Sequence, residues 1–143
     1  MKKVFLDTNI IIDVLEHRNP FFIQSANLLE LGYRKKLHLY ATSLSFINGI
    51  YISRKSLGKE NAIEKVKVLR QIIDISPMSA KEFDHALAAP FKDIEDSLQY
   101  FSALAAKCSI LITRNKKDFP NGESVMVLTP QEFFDCFSDE LKW

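Results

Sequence analysis

Glycine is scarce in this 143-residue chain, four residues in all, and no glycine-rich loop follows any apolar run. That excludes the phosphate-cradling loops of Rossmann and P-loop nucleotide sites, which need glycines for close backbone approach. Cys108 and Cys136 are too few for a disulfide framework and have no zinc-like spacing, so they read as structural thiols of a reducing compartment. His17, His38 and His85 stand apart, and they offer neither a zinc pair nor a defensible Ser-His-Asp or Cys-His arrangement. No apolar stretch approaches the roughly 20 residues of a membrane span. Asp7 and Asp13 break up the apolar core that a signal peptide would need, so a cytoplasmic location is expected. Charge is also lacking: a net +1 creates no global field that draws a protein to nucleic acid. This argues against a dedicated DNA-binding domain, but not against an enzyme that touches RNA briefly.

What is present is a regular alternation of strand and helix signals. The length predicts one domain over residues 1–143, able to bury about two-thirds of its unfolded surface. Val4-Phe5-Leu6 reads as a buried strand that stops at Asp7-Thr8-Asn9. A short helix over 10–15 closes near Asn19-Pro20, and a second over 21–33 places Phe22, Ala26, Leu29 and Tyr33 at helical spacing. Residues 37–41 form a strand, Thr42 and Ser43 cap a helix over 44–55, and Ser56-Leu57-Gly58 breaks it. A helix over 59–71, a strand over 72–75 and a helix from Ser79 to the stop at Pro90 follow. The remaining elements are a long helix over 93–107, strands over 109–113 and 125–128, and a terminal helix opened by Pro130. About five short apolar strands separated by helices predict an α/β layered domain.

Polar residues fall at particular places in this pattern. Asp7 ends the first strand, where it either caps the next helix or lies in the crevice at the strand carboxyl ends. Asp93 and Asp96 share a helix face with Tyr100, while Glu95 points elsewhere and Ile94, Leu98, Phe101 and Ala105 form the apolar stripe. Acids in a first helical turn are favourable by about 0.3–1 kcal/mol each, so these acids have a plain explanation too. Asp118 follows the fourth strand by five residues. Asn48 lies in line with Leu44, Tyr51 and Ile52, which read as core-facing, so it is a satisfied core amide or part of a polar site. Carboxylates gathered together raise one another's pKa unless a cation joins them. Aspartate oxygens suit Mg²⁺ or Mn²⁺, which can activate a water and stabilise charge growing on a phosphodiester.

Two segments, VFLDTNIIIDVL near the N-terminus and FKDIEDSLQYFSALAAKCSILITRNKKDF toward the C-terminus, strongly resemble the PIN domain family. The intervening TSLSFINGIYISRK extends the likeness over nearly the whole chain, and within the family it is similar to the toxin ribonucleases of bacterial VapC-type toxin–antitoxin pairs. The resemblance implies a three-layer α/β/α fold around a parallel sheet of about five strands. It also implies a Mg²⁺- or Mn²⁺-dependent endoribonuclease site, an RNA substrate, a small antitoxin partner and a homodimer. Residue by residue, Asp7, Asp96 and Asp118 match the metal-binding acids. Asn115 stands where many members carry Asp, and Asn48 where a Glu is normal. Asp93 then serves as a nearby substitute charge, and Thr8, Ser43 and Thr113 as hydroxyls supporting the ligands. Arg114, Lys116, Lys117, Arg54 and Lys55 are candidates for the RNA backbone, with Arg114 the best placed. About three carboxylates imply a single ion, with Mn²⁺ effective at lower concentration than Mg²⁺. Because two acids are amides, a degenerate domain that binds RNA or protein without cutting is the alternative. A phosphotransfer site with Asp7 as nucleophile would want an acid at residue 9, which is Asn. A plain interaction module with capping acids is the remaining reading.

Overall fold

A parallel sheet whose central strands carry apolar residues on both faces must be covered on both, and the alternation of helices along the chain supplies both covers. The computed structural model describes residues 1–120, 122 and 124–141. Its strands β1 (Lys2–Leu6), β2 (Leu37–Ala41), β3 (Ile73–Ile75), β4 (Ile110–Ile112) and β5 (Met126–Leu128) form one parallel sheet in the order β3-β2-β1-β4-β5. The helices are α1 (Thr8–Leu15), α2 (Phe22–Tyr33), α3 (Ser43–Leu57), α4 (Lys59–Leu69), α5 (Ala80–Ala88), α6 (Ile94–Ala105) and α7 (Pro130–Phe137), with a 3₁₀ turn at Lys116–Asp118. The expected elements are all found, with boundaries moved by a few residues at most.

Period-two alternation divides the core into the two covers. Val4, Leu6, Leu39, Ile110 and Ile112 pack with Ile11 of α1, Leu28 of α2, Phe46 of α3, Leu69 of α4 and Phe133 of α7. Phe5, Leu111 and Val127 on the opposite face pack with Tyr100 and Ala103 of α6, and α5 packs on α6. The result is the expected three-layer α/β/α arrangement. The strand order reverses beside β1, which has β2 on one flank and β4 on the other. At such a switch point the carboxyl ends of adjacent strands splay apart and leave a crevice. Asp7 and Thr113 are the residues that follow β1 and β4.

Two helix faces differ from the expectation. On α3 the buried residues are Ser45, Phe46, Gly49 and Ser53, whereas Tyr51 is 62% exposed and Ile52 40%. Small residues win the core face because α3 lies tightly against α1: a Cβ on Gly49 would meet Leu15 Cδ1 at 2.8 Å. On α6 the buried residues are Ser97, Gln99, Tyr100, Ser102 and Ala103, while Ile94 and Ala105 are exposed. That face is chosen by hydrogen bonding as well as by apolarity, as the site shows. Tyr33 is likewise exposed. Of the two thiols, Cys108 is buried and its pKa is pushed up to about 12 by desolvation, but Cys136 is exposed rather than set in apolar surroundings. Among the described residues no helix is long and apolar enough to cross a membrane.

The α1–α3 approach sets a test. Gly49→Val should cost about 1–3 kcal/mol through overpacking and lower the thermal midpoint by several degrees. An unchanged midpoint in differential scanning calorimetry would show that the two helices do not meet as described.

Candidate active site

Asp7 is both of the things its position suggested. Its Oδ1 accepts from Thr8 N at 2.8 Å, which caps α1. Its Oδ2 accepts from Thr113 Oγ1 at 2.8 Å and from Asn9 Nδ2 at 3.4 Å, which ties the end of β1 to the end of β4. Asn9 also takes the backbone N–H of Arg114 on its Oδ1, and Thr113 Oγ1 takes that of Asn115 at 3.0 Å. The carboxylate is thus 5% exposed and held from both strands. Desolvation raises its pKa above the ordinary value, while the Thr113 and Thr8 hydrogen bonds pull the other way.

Asp7 lines a cavity of about 290 Å³ together with Asp93, Glu95, Asp96, Asn115 and Asp118. The expected acids are therefore brought together: Asp7 from β1, Asp96 from the first turn of α6, and Asp118 from the 3₁₀ turn after β4. Asp93 caps α6 through Glu95 N at 2.8 Å and is exposed, so its capping role is real alongside its place on the cavity wall. Asp96 is pushed up to about 7, first by desolvation and then by the charges of Asp7, Asp93, Asp118 and Glu95. Mutual repulsion of this kind is what a divalent cation relieves. Among the described residues no three acidic, histidine or cysteine side chains converge as a ready-made cage. An ion such as Mg²⁺, which keeps several waters and takes one or two carboxylates, fits this donor set better than one that needs a closed cage.

Glu95 does not point away from the others. It lines the same cavity, and its Oε1 accepts from Asn48 Nδ2 at 2.8 Å. The amide at residue 48 therefore sits beside a carboxylate delivered from α6. Behind Asp7 lies a buried polar network: Gln99 Nε2 donates to Thr8 Oγ1 at 3.2 Å and Ser45 Oγ at 3.1 Å, and Thr42 Oγ1 donates to Gln99 Oε1 at 3.2 Å. Thr8 and Thr113 thus support the site as expected, but Ser43 is exposed, and Ser45, two residues on, is the hydroxyl that joins. The readable signal was the polar row Glu95, Gln99 and Ser102, spaced at four and three residues along α6.

The expected substrate cations are largely committed elsewhere. Arg114 Nε and Nη2 bind the two oxygens of the fully buried Asp13, at 2.7 and 3.2 Å, and its guanidinium lies 4.1 Å from the centre of the Phe21 ring. Lys116 pairs with Glu132 at 2.9 Å, and Arg54 stacks on Tyr51. Lys55 and Lys117 are exposed. Arg18, which no motif marked, lines the acidic cavity.

A PIN domain family model matches residues 3–117. Among curated proteins, the chain is 28% identical over 137 residues to "Ribonuclease VapC1" of Aquifex aeolicus (strain VF5), covering 92% of this chain and 93% of the relative. Among solved structures, it resembles VapBC2 from Rickettsia felis bound to a promoter DNA fragment, with a TM-score of 0.65, 21% identity and coverage of 89% of this chain and 98% of that one. A toxin–antitoxin complex from Klebsiella pneumoniae gives a TM-score of 0.67, 20% identity and coverage of 89% and 97%.

Two measurements follow from the electrostatics. Removing Arg114 leaves Asp13 buried and unpaired, so Arg114→Ala should destabilise by about 3–5 kcal/mol in denaturant unfolding; a change within error would free Arg114 for another role. Asp96 is raised above its unfolded value, so the folded state holds the proton more tightly, and stability present at low pH is lost as pH rises from 3.8 toward about 7. In chelator, the thermal midpoint of the wild type should fall across that window relative to Asp96→Asn. Parallel curves for the two proteins would remove Asp96 as the cause.

Proposed function

The chain belongs to the PIN domain family, and from that premise we propose that it is a divalent-metal-dependent endoribonuclease, the toxin of a toxin–antitoxin pair. The observation that carries this reading is the meeting of Asp7, Asp96 and Asp118 in one cavity at the switch point, with Asp96 raised to about 7 by desolvation and then by its acidic neighbours. The relative named as a ribonuclease aligns over nearly its full length, which supports the reaction. The neighbours solved as toxin–antitoxin complexes support a small antitoxin as partner. Apolar surface beside the cavity is consistent with such a partner: Ile47 and Tyr51 of α3 and Ile94 of α6 are exposed around the Asn48–Glu95 hydrogen bond. Dimerisation belongs to the same reading, and α5 offers Phe83 and Leu87 as exposed apolar residues for it.

Asp7, Asp96 and Asp118 would hold the ion, Mg²⁺ or Mn²⁺. When bound, it supplies positive charge at the phosphodiester and lowers the pKa of water. Asp7 contributes a fixed position, since hydrogen bonds from Thr8, Thr113 and Asn9 hold its oxygens. Asp96 loses its proton as positive charge enters, so loading should release a proton near neutral pH. Asp118 is half-buried and lines both the inner cavity and a larger outer one of about 500 Å³, where it can meet water and substrate. Asn48 directs Glu95, and Asn115 anchors the turn through its backbone N–H on Thr113. The degenerate-domain reading rested on the amides at 48 and 115; Glu95 beside Asn48 offsets the first of them.

Asp7→Asn should reduce RNA cleavage by roughly two orders of magnitude or more with circular dichroism unchanged, because an amide oxygen can still accept from Thr113. Mn²⁺ should support cleavage at lower concentration than Mg²⁺, with one tight ion per chain by calorimetry. Wild-type cleavage by the purified variant would refute the assignment, and two tight Mg²⁺ ions would refute the single-ion site.

A further inference from the structure

The acidic residues of the site are bordered by two hollows rather than one. Asp93, Asp96 and Asp118 line both. The smaller hollow, about 290 Å³, includes Arg18 of the α1–α2 loop; the larger one, about 500 Å³, includes Lys92 and Ile94 before and within the first turn of α6. The shared carboxylates join the two into one groove, and among the described residues one cationic side chain lines each part. Among the described residues the side chains of Arg18 and Lys92 make no hydrogen bond or ion pair, although five acidic residues share the two hollows with them. Desolvation raises the pKa of Asp13, and Arg114 opposes this by direct contact while Arg18 opposes it more weakly through space.

The backbone holds Arg18 in place. Its N–H donates to Asp13 O at 3.0 Å, and its carbonyl accepts from Phe22 N at 2.7 Å. His17, in the left-handed region at φ 51°, stacks on Phe22 with ring centres 3.6 Å apart. A segment tied at three points presents a guanidinium to an acidic cavity yet leaves it unpaired. Arginine is suited to phosphate through its planar fork of donors, and lysine acts as a point charge.

We propose that Arg18 and Lys92 bind the phosphates on either side of the one being cleaved, so that a single RNA strand crosses the carboxylates with a backbone contact upstream and another downstream. This rests on the ribonuclease reading and adds to it a direction of travel and a minimum substrate: a strand that extends past the cleaved bond both ways. Arg114 is then a structural partner of Asp13, and recognition of the backbone falls to Arg18 of the α1–α2 loop and Lys92 just before α6.

The test uses the full-length protein and a fluorescently labelled, mixed-sequence single-stranded RNA. Binding is followed by anisotropy in chelator over a range of salt, and cleavage is followed with Mn²⁺. Arg18→Ala and Lys92→Ala should each weaken binding several-fold and flatten the slope of log affinity against log salt by about 0.7, the value for one single-strand phosphate. They should raise KM more than they lower kcat, and Arg18→Lys should recover the salt slope. Lys65→Ala, on the exposed side of α4, should match the wild type in every measurement. A dinucleotide with one phosphodiester should bind wild type and variants alike. Wild-type salt slope and KM in both alanine variants, with cleavage still abolished by Asp7→Asn, would overturn the groove while leaving the nuclease. The expected binding losses without any Mn²⁺-dependent cleavage would keep the groove and overturn the nuclease.

Discussion

The site depends on a carboxylate that is buried where water would normally solvate it. Burying an ionised acid is costly unless its oxygens are hydrogen-bonded, and Asp7 meets that demand with groups from both strands of the switch point and from α1. The same bonds order the surroundings: Thr113 fixes the turn toward Asp118, and Asn9 fixes the backbone at Arg114. A second buried acid, Asp13, then fastens Arg114 from beneath. One turn and a half of α1 therefore carries two carboxylates with opposite tasks. Asp13 is paired within the protein, whereas among the described residues Asp7 keeps hydrogen bonds but no cationic side chain.

The alternation of strands and helices was legible because it follows from local chemistry, whereas Asp7, Asp96 and Asp118 were joined as one set only by the PIN-domain resemblance. Strand ends marked by Asp7 and Thr113, caps at Thr42 and Ser79, the opening Pro130 and a breaking Gly58 are short-range signals, and each element lies where those signals put it. Which face of α3 and α6 turns inward was not legible from apolarity. On α3 the deciding quantity was size, since only small residues permit the approach to α1. On α6 it was the network joining Gln99 to Thr8, Ser45 and Thr42, whose members lie 54 to 91 residues apart from Gln99. Such a network is satisfied only by partners from three helices, so no window of sequence contains it.

The cations show the same division. Those next to the motif, Arg114 and Lys116, are tied to carboxylates that the sequence places sixteen or more residues away. Those without a partner among the described residues are Arg18, outside the motif segments, and Lys92, at the start of the FKDIEDSLQ segment; their position at the groove follows from how the α1–α2 loop and the start of α6 fold back toward the strand ends. Charge near a site in sequence is weak evidence of charge available at the site.

The amide at residue 48 gains its meaning from the same kind of accounting. A glutamate there would face Glu95 across the present 2.8 Å contact, and two carboxylates at hydrogen-bond distance repel unless they share a proton or a cation. An asparagine instead donates to Glu95 and sets its direction, so negative charge reaches the cavity from α6 rather than from α3. Asn48 and Glu95 thus act as one unit. The acid beside residue 48 is carried by the helix before β4, on the same first turn as Asp96. Burial raises Asp96, the charges of Asp7, Asp93, Asp118 and Glu95 raise it further, and the metal-free site is left poorly balanced. In the nuclease reading that imbalance is useful, because the energy withheld by repulsion is recovered when a cation enters.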